Sequence, residues 1–404
     1  MSHPTPLRVL FLGKDAGRGG MQRELLSIVQ FLNKEKFTPL VLLQEGGEIL
    51  PLYKRQATVE VYSERLQAHN RHSSPRIKRW LPPGISDRIF PEYDISWASR
   101  RAQQFKPDVI VRQYMIPLPA FHALENSPLP SLQILLMNGA QTERMDESTL
   151  RRIAQHTIIY PGHGVGRFLE LCLGVEPTRT HKICTGLDLS LSQQQLDSPD
   201  CIQRRDLGIG DDDLVIAACG GIIFLKGVDL WLEAAVLLRT RFPNRKLKFL
   251  WIGGSDYQLQ TMYGQSIQRS IIRYSLQDHV IITGNIQEVY PYDALCDIYV
   301  QPSRDDAFPL ATCEAMALAK PVVAFPQGVA LEDYAKHAMV IVDQVNAQAL
   351  ANGISQLIES AADRELLGAA GRKVIEEHLE INGSMRRYED VLMSLAQGNF
   401  YSRS

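Results

Sequence analysis

The chain has 404 residues, 45% of them hydrophobic and 22% charged, with a formal net charge of −2. That length exceeds one ordinary core and predicts two domains of about 150 to 200 residues, while no window approaches the roughly 18 apolar residues a membrane helix needs. Met1–Arg8 does not read as a secretory leader, since no apolar core leads to a cleavage site. Six cysteines without Cys-x-x-Cys spacing predict reduced thiols, no metal site and a cytoplasmic protein. Residues 1–190 carry 24 Lys and Arg against 18 Asp and Glu, so a basic N-terminal half precedes an acidic remainder. No nucleic-acid partner is expected.

Short apolar runs alternate with helical patterns from the start. Arg8–Leu12 reads as a strand and Met21–Leu32 as a helix, joined by Gly13-Lys14-Asp15-Ala16-Gly17-Arg18-Gly19-Gly20, whose glycines let backbone approach a ligand. A dinucleotide fingerprint counted from Gly17 and Gly19 would need glycine where Gln22 stands, which weighs against a nicotinamide oxidoreductase. Further strands are predicted at Thr38–Leu43, Val109–Arg112 and Leu132–Leu136. Between Thr38–Leu43 and Val109–Arg112, Arg71, Arg76, Lys78 and Arg79 beside Trp80 form a basic and aromatic stretch. It reads first as a solvated loop, and otherwise as a surface for an anionic acceptor or for peripheral contact with lipid headgroups on the inner face of the membrane.

Asn138-Gly139 follows the Leu132–Leu136 strand, and Tyr160-Pro161-Gly162-His163-Gly164 forms a later loop whose histidine reads as structural. The domain boundary is expected between Gly186 and Leu207, because Ser190–Ser198 is rich in Gln and Ser and lacks apolar periodicity. A second cycle of strands follows at Leu214–Cys219, Lys248–Ile252, Val280–Thr283, Ile298–Gln301 and Pro321–Phe325, with helices such as Val228–Arg239 between them. The whole is expected to be α/β, with two Rossmann-like, doubly wound domains spanning 1–188 and 207–383 around a 189–206 linker.

Two segments carry chemistry. Gly220-Gly221-Ile222-Ile223-Phe224-Leu225-Lys226-Gly227 places Lys226 beside a helix start, where an ammonium can neutralise charge on a departing nucleoside diphosphate. The run Pro302-Ser303-Arg304-Asp305-Asp306-Ala307-Phe308-Pro309-Leu310 leads into Glu314 and stops at Pro321, with Pro309 suited to a first helical turn. Asp306 then lies at the helix mouth and Glu314 within the helix, while backbone N–H groups from Ala307 to Leu310 can donate to sugar or phosphate oxygens. In isolation the pair would read as a cap and a surface acid.

The run from Pro302 through Glu314 and Ala315-Met316 resembles the signature of family 4 retaining glycosyltransferases, with Asp306 where Glu is usual. The resemblance is strongest over 214–332 and implies the GT-B fold, two such domains facing a central cleft, with the last helix (384–404) crossing back onto the N-terminal domain. It implies a nucleotide-sugar donor held by Gly19, Gly20, Asn138, Lys226, Asp306, Ala307, Phe308, Pro309, Leu310 and Glu314, with Asp306 and Lys226 nearest the chemistry and Glu314 on the ribose. It implies a hydroxyl acceptor, a UDP-sugar as the commonest donor of such enzymes, and no cofactor or metal. Two departures stand out: Gly221 occupies a position that is commonly arginine, and Asn138 that of a donor-contacting histidine. They motivate a second expectation, a noncatalytic nucleotide-binding scaffold of the same fold. Gly328-Val329-Ala330-Leu331-Glu332 resembles the family's Gly-Gly-x-x-Glu loop with one glycine missing.

Overall fold

The computed structural model describes residues 5–65, 96–114, 118–135, 145–184 and 186–398. The basic stretch at Arg71–Trp80 and Asn138 lie outside them.

Seven strands form the first sheet: β1 (Leu7–Gly13), β2 (Phe37–Leu43), β3 (Thr58–Val61), β4 (Val109–Gln113), β5 (Ser131–Ile134), β6 (Thr157–Tyr160) and β7 (Thr180–Lys182). Their order is β3-β2-β1-β4-β5-β6-β7, every pairing parallel. Six more, β8 (Leu214–Cys219), β9 (Leu247–Ile252), β10 (Val280–Ile282), β11 (Ile298–Gln301), β12 (Val322–Ala324) and β13 (Val340–Ile341), form the second in the order β10-β9-β8-β11-β12-β13. It too is parallel throughout.

Parallel strands covered by helices on both faces must be apolar on both sides, and alternation sorts them. In β1, Val9 and Phe11 join the core beneath the Gly20–Phe31 helix, while Leu10 and Leu12 join the opposite core with Trp97 and Phe121. In β8, Ile216 and Ala218 pack with Trp231 and Trp251, and Val215 and Ala217 pack with Tyr299 and Met316. Such a sheet binds ligands at the carboxyl ends of its strands, where the winding reverses. The reversals fall between β1 and β4 and between β8 and β11.

Among the described residues the chain passes between lobes twice. Ile183 packs in the first lobe's core and Leu187 in the second's, then Leu379 in the second's and Ile381 in the first's. The passages run side by side: Leu187 N–H donates to Leu379 O (2.8 Å) and Ile381 N–H donates to Leu187 O (3.1 Å). Gly186 permits this approach, since a Cβ there would lie 2.5 Å from the Ile381 Cα. The final helix, Ile381–Ala396, starts three residues before the expected Ser384 because Glu380 caps it, and it buries Met385, Tyr388 and Leu392 against the first lobe. The Gln- and Ser-rich stretch read as linker contains a helix, Leu189–Leu196, capped by Asp188.

Candidate active site

The Gly19–Gly20, Lys226 and Asp306 segments each follow a strand at one of the two reversals. Gly19 and Gly20 follow β1: Gly19 is the extended N-cap (φ −65°, ψ 164°) of the Gly20–Phe31 helix, and a Cβ on Gly20 would meet open space. Lys226 follows β8 in a single 3-10 turn, Phe224–Lys226, and Asp306 follows β11. Lys226 Nζ lies 2.5 Å from Asp306 Oδ2. Gly227 makes this meeting possible, with φ +69° and no room for a side chain, because a Cβ would stand 1.9 Å from Pro302 O.

Arg304, a residue to which the sequence reading gave no role, ties the two turns together. Its N–H donates to Leu225 O (2.8 Å), its guanidinium donates to Phe224 O (2.7 Å), and it takes both oxygens of Asp229 (2.8 and 2.6 Å). The guanidinium carbon lies 3.9 Å from the Phe224 ring centroid. A bidentate, stacked arginine gives the Lys226 turn one position relative to Asp306.

Ala307 and Phe308 carry the chain to the next helix, Leu310–Ala317, and Phe308 is buried. Pro309 is its N-cap rather than its first helical residue. Glu314 is 1% exposed in the second turn. Its Oε1 accepts from the guanidinium of Arg23, which comes from the opposite lobe. Its Oε2 has no hydrogen-bond partner among the described residues.

Behind Glu314 lies Asp293, fully buried, neither of whose oxygens finds a partner among the described residues. Burial first, and then the Glu314 charge, push this carboxyl well above the usual carboxylate range, while Lys320 and Arg23 act the other way. The native state therefore keeps a proton that the unfolded chain releases near pH 4, so stability present below that pH is lost as pH rises. Asp293→Asn cannot titrate. The variant is expected to melt higher than wild type, with a margin widening by up to about 1.4 kcal/mol per pH unit above pH 4. Melting curves at pH 5 and pH 8 check this; a margin that does not grow would show Asp293 ionised in the fold.

A second contact joins the lobes at Glu332, which is fully buried and follows the Gly328–Leu331 turn. It accepts from Lys182 Nζ (2.8 Å) and the His163 backbone N–H (2.8 Å), and His163 Nε2 stands 3.6 Å away. The His163 loop is thus a lobe contact: a Cβ on the preceding Gly162 would stand 3.5 Å from Ala307 O and from the Phe308 ring, and Glu332 carries more than its partial motif suggested. Arg18 of the first lobe donates to Ile286 O of the second (2.9 Å).

Beside Gly221 the space is taken by Gln258. A Cβ there would meet Gln258 Nε2 at 2.6 Å, and Gln258 Oε1 accepts from Ile222 N–H and Ser255 N–H (both 3.1 Å). The turn is held here by an amide.

Two Rossmann-like lobes whose strand ends face each other across these residues define the GT-B architecture. Residues 201–374 match the family model described as glycosyl transferases group 1. The D-inositol 3-phosphate glycosyltransferase of Jonesia denitrificans is 26% identical over 163 residues, covering 40% of this chain and 38% of that protein. The chain therefore spans well under half the length of curated relatives such as this one. Two similar structures extend over nearly the whole chain. Anabaena HepE in complex with UDP and glucose covers 96% of this chain and 100% of its own, at 19% identity and a TM-score of 0.77. A glycosyltransferase from Rickettsia africae covers 98% of this chain and 100% of its own, at 15% identity and a TM-score of 0.74. Among the described residues no helix is long and apolar enough to cross a membrane.

Proposed function

We propose that this protein is a retaining glycosyltransferase that moves a sugar from a nucleoside diphosphate to a hydroxyl acceptor. The observation that carries the reading is the Lys226–Asp306 pair at the β8/β11 reversal, with Glu314 buried behind it and the Gly19–Gly20 helix start on the facing lobe. Glu314 offers an acceptor for ribose hydroxyls, Asp306 and the Ala307–Leu310 backbone hold the sugar, and Lys226 meets the diphosphate.

In the reaction the bond from the anomeric carbon to the phosphate oxygen breaks, and the acceptor oxygen bonds to that carbon from the same face. The acceptor's proton passes to the departing phosphate oxygen. Lys226 stabilises the charge growing on the leaving group, a role that asks for no metal. Closure of the lobes excludes water, which protects the donor from hydrolysis and strengthens that contact. HepE has been solved with UDP and with UDP-glucose, which favours a uridine nucleotide as the donor carrier here.

A thermal-shift screen against UDP, GDP, ADP and their sugars tests the binding half. The accepted nucleotide at a hundred times its dissociation constant should stabilise by about 2.7 kcal/mol, and no shift with any of them would sink the reading. The anomeric configuration of the product, read by NMR, tests retention. Gly221 and Asn138 favour the second reading, a noncatalytic scaffold, and turnover with any acceptor excludes it.

A further inference from the structure

The turn after β8 holds one cation, Lys226, and Gln258 fills the space beside Gly221 where a second would stand. A diphosphate bearing two or more negative charges is poorly matched by a single lysine that Asp306 already neutralises in part. The first lobe supplies a candidate. Arg23 lies one turn into the helix whose start is Gly19–Gly20, and its guanidinium reaches across to Glu314.

The contact is asymmetric. Glu314 is 1% exposed and has one oxygen without a partner among the described residues, whereas the Arg23 side chain is 40% exposed. A group that is buried and half satisfied is anchored; one that is long and partly solvated can turn.

We propose, on the donor site assigned above, that Arg23 is the second diphosphate-binding cation, held on Glu314 until a nucleotide's ribose takes that carboxylate and releases the guanidinium onto the phosphates. No bond to the donor is made or broken in this exchange. The ribose hydroxyls replace the guanidinium as donors to Glu314, and the freed arginine meets the charge that Lys226 cannot balance alone. Because Arg23 belongs to the lobe opposite Lys226, the diphosphate then bridges the two lobes.

A plain interlobe latch would leave the same static contact, so the test separates nucleoside from diphosphate. Titrations of wild type, Arg23→Ala and Arg23→Lys with UDP and with uridine are compared, with GDP and guanosine, and ADP and adenosine, run in parallel. Losing a charge-assisted contact should weaken the diphosphate roughly ten- to hundredfold in Arg23→Ala, with uridine unchanged or tighter. Arg23→Lys should recover part of the diphosphate affinity. Should Arg23→Ala not fold, Arg23→Gln takes its place, with circular dichroism confirming the native state. Equal tightening of nucleoside and diphosphate in the variant would identify a latch and overturn the proposal, as would no change in either. Failure of wild type to bind any of the three diphosphates would instead remove the donor site itself, and this inference with it.

Discussion

Lys226→Ala and Glu314→Ala should each fold and each lose sugar transfer, with the lysine variant dropping by roughly 10²- to 10³-fold in turnover, the usual cost of removing one preorganised group aimed at developing charge. For Lys226 the loss is compounded. Its partner Asp306 is mostly buried, and without the ammonium that carboxylate would face the donor phosphates unbalanced. Folding should survive, because the 3-10 turn is still held by Arg304 through Phe224 O and Leu225 O. For Glu314 the effect should fall first on donor affinity, since the buried acceptor for the ribose is gone. Alanine suits a helix interior, and the partner left behind, Arg23, is exposed enough to turn to water. Donor turnover and melting temperature measured on both variants check the pair; near wild-type turnover in both would defeat the assignment.

Glu332→Ala should lower stability by about 2 to 4 kcal/mol with little direct effect on chemistry. Breaking a buried ion pair by removing one member costs about 3 to 5 kcal/mol. The partner here is not fully buried: Lys182 keeps 30% of its side chain exposed and can rehydrate, which shifts the expectation about 1 kcal/mol below that range. The His163 N–H would also lose its acceptor. Glu332→Gln, which keeps an oxygen for that N–H, should recover part of the loss. Urea midpoints of the three proteins decide it, and an unchanged midpoint for Glu332→Ala would show that the lobes do not depend on this contact.

How much the chain announced in advance depended on whether the signal was local. The strands β1, β2, β4, β8, β9 and β11 stand out because both their faces are covered, which leaves continuous apolar runs. β7, Thr-His-Lys, has no such run, and β13 is two residues long, so neither could be read; β6, Thr-Ile-Ile-Tyr, is apolar and fully buried but lies beside a glycine-rich loop that drew the reading instead. The Leu189–Leu196 helix was masked by its polar composition, although Asp188 as a cap was a usable sign. Among the candidate site residues, Lys226, Asp306 and Glu314 could be singled out because each sits in a recognisable run. Arg23 could not, since an arginine on an amphipathic helix reads as solvated and its partner is 291 positions away. Glu332 was undervalued for the same reason, its partners Lys182 and His163 lying 150 and 169 positions off. Gln258 fills the space beside Gly221 from a helix that no motif singled out.

The paired passages at Leu187 and Leu379–Ile381 constrain how the halves can move. Two threads tied at one place leave a single pivot, so opening and shutting amount to swinging about that seam like a book about its spine. Lys182, one residue before the first thread begins, keeps Glu332 close to the spine, where travel is short. With no side chain at Gly186 the threads lie flush. Any larger residue there would wedge them apart and reset the angle at which the facing pages meet, altering the gap between Arg23 and Glu314 without touching either.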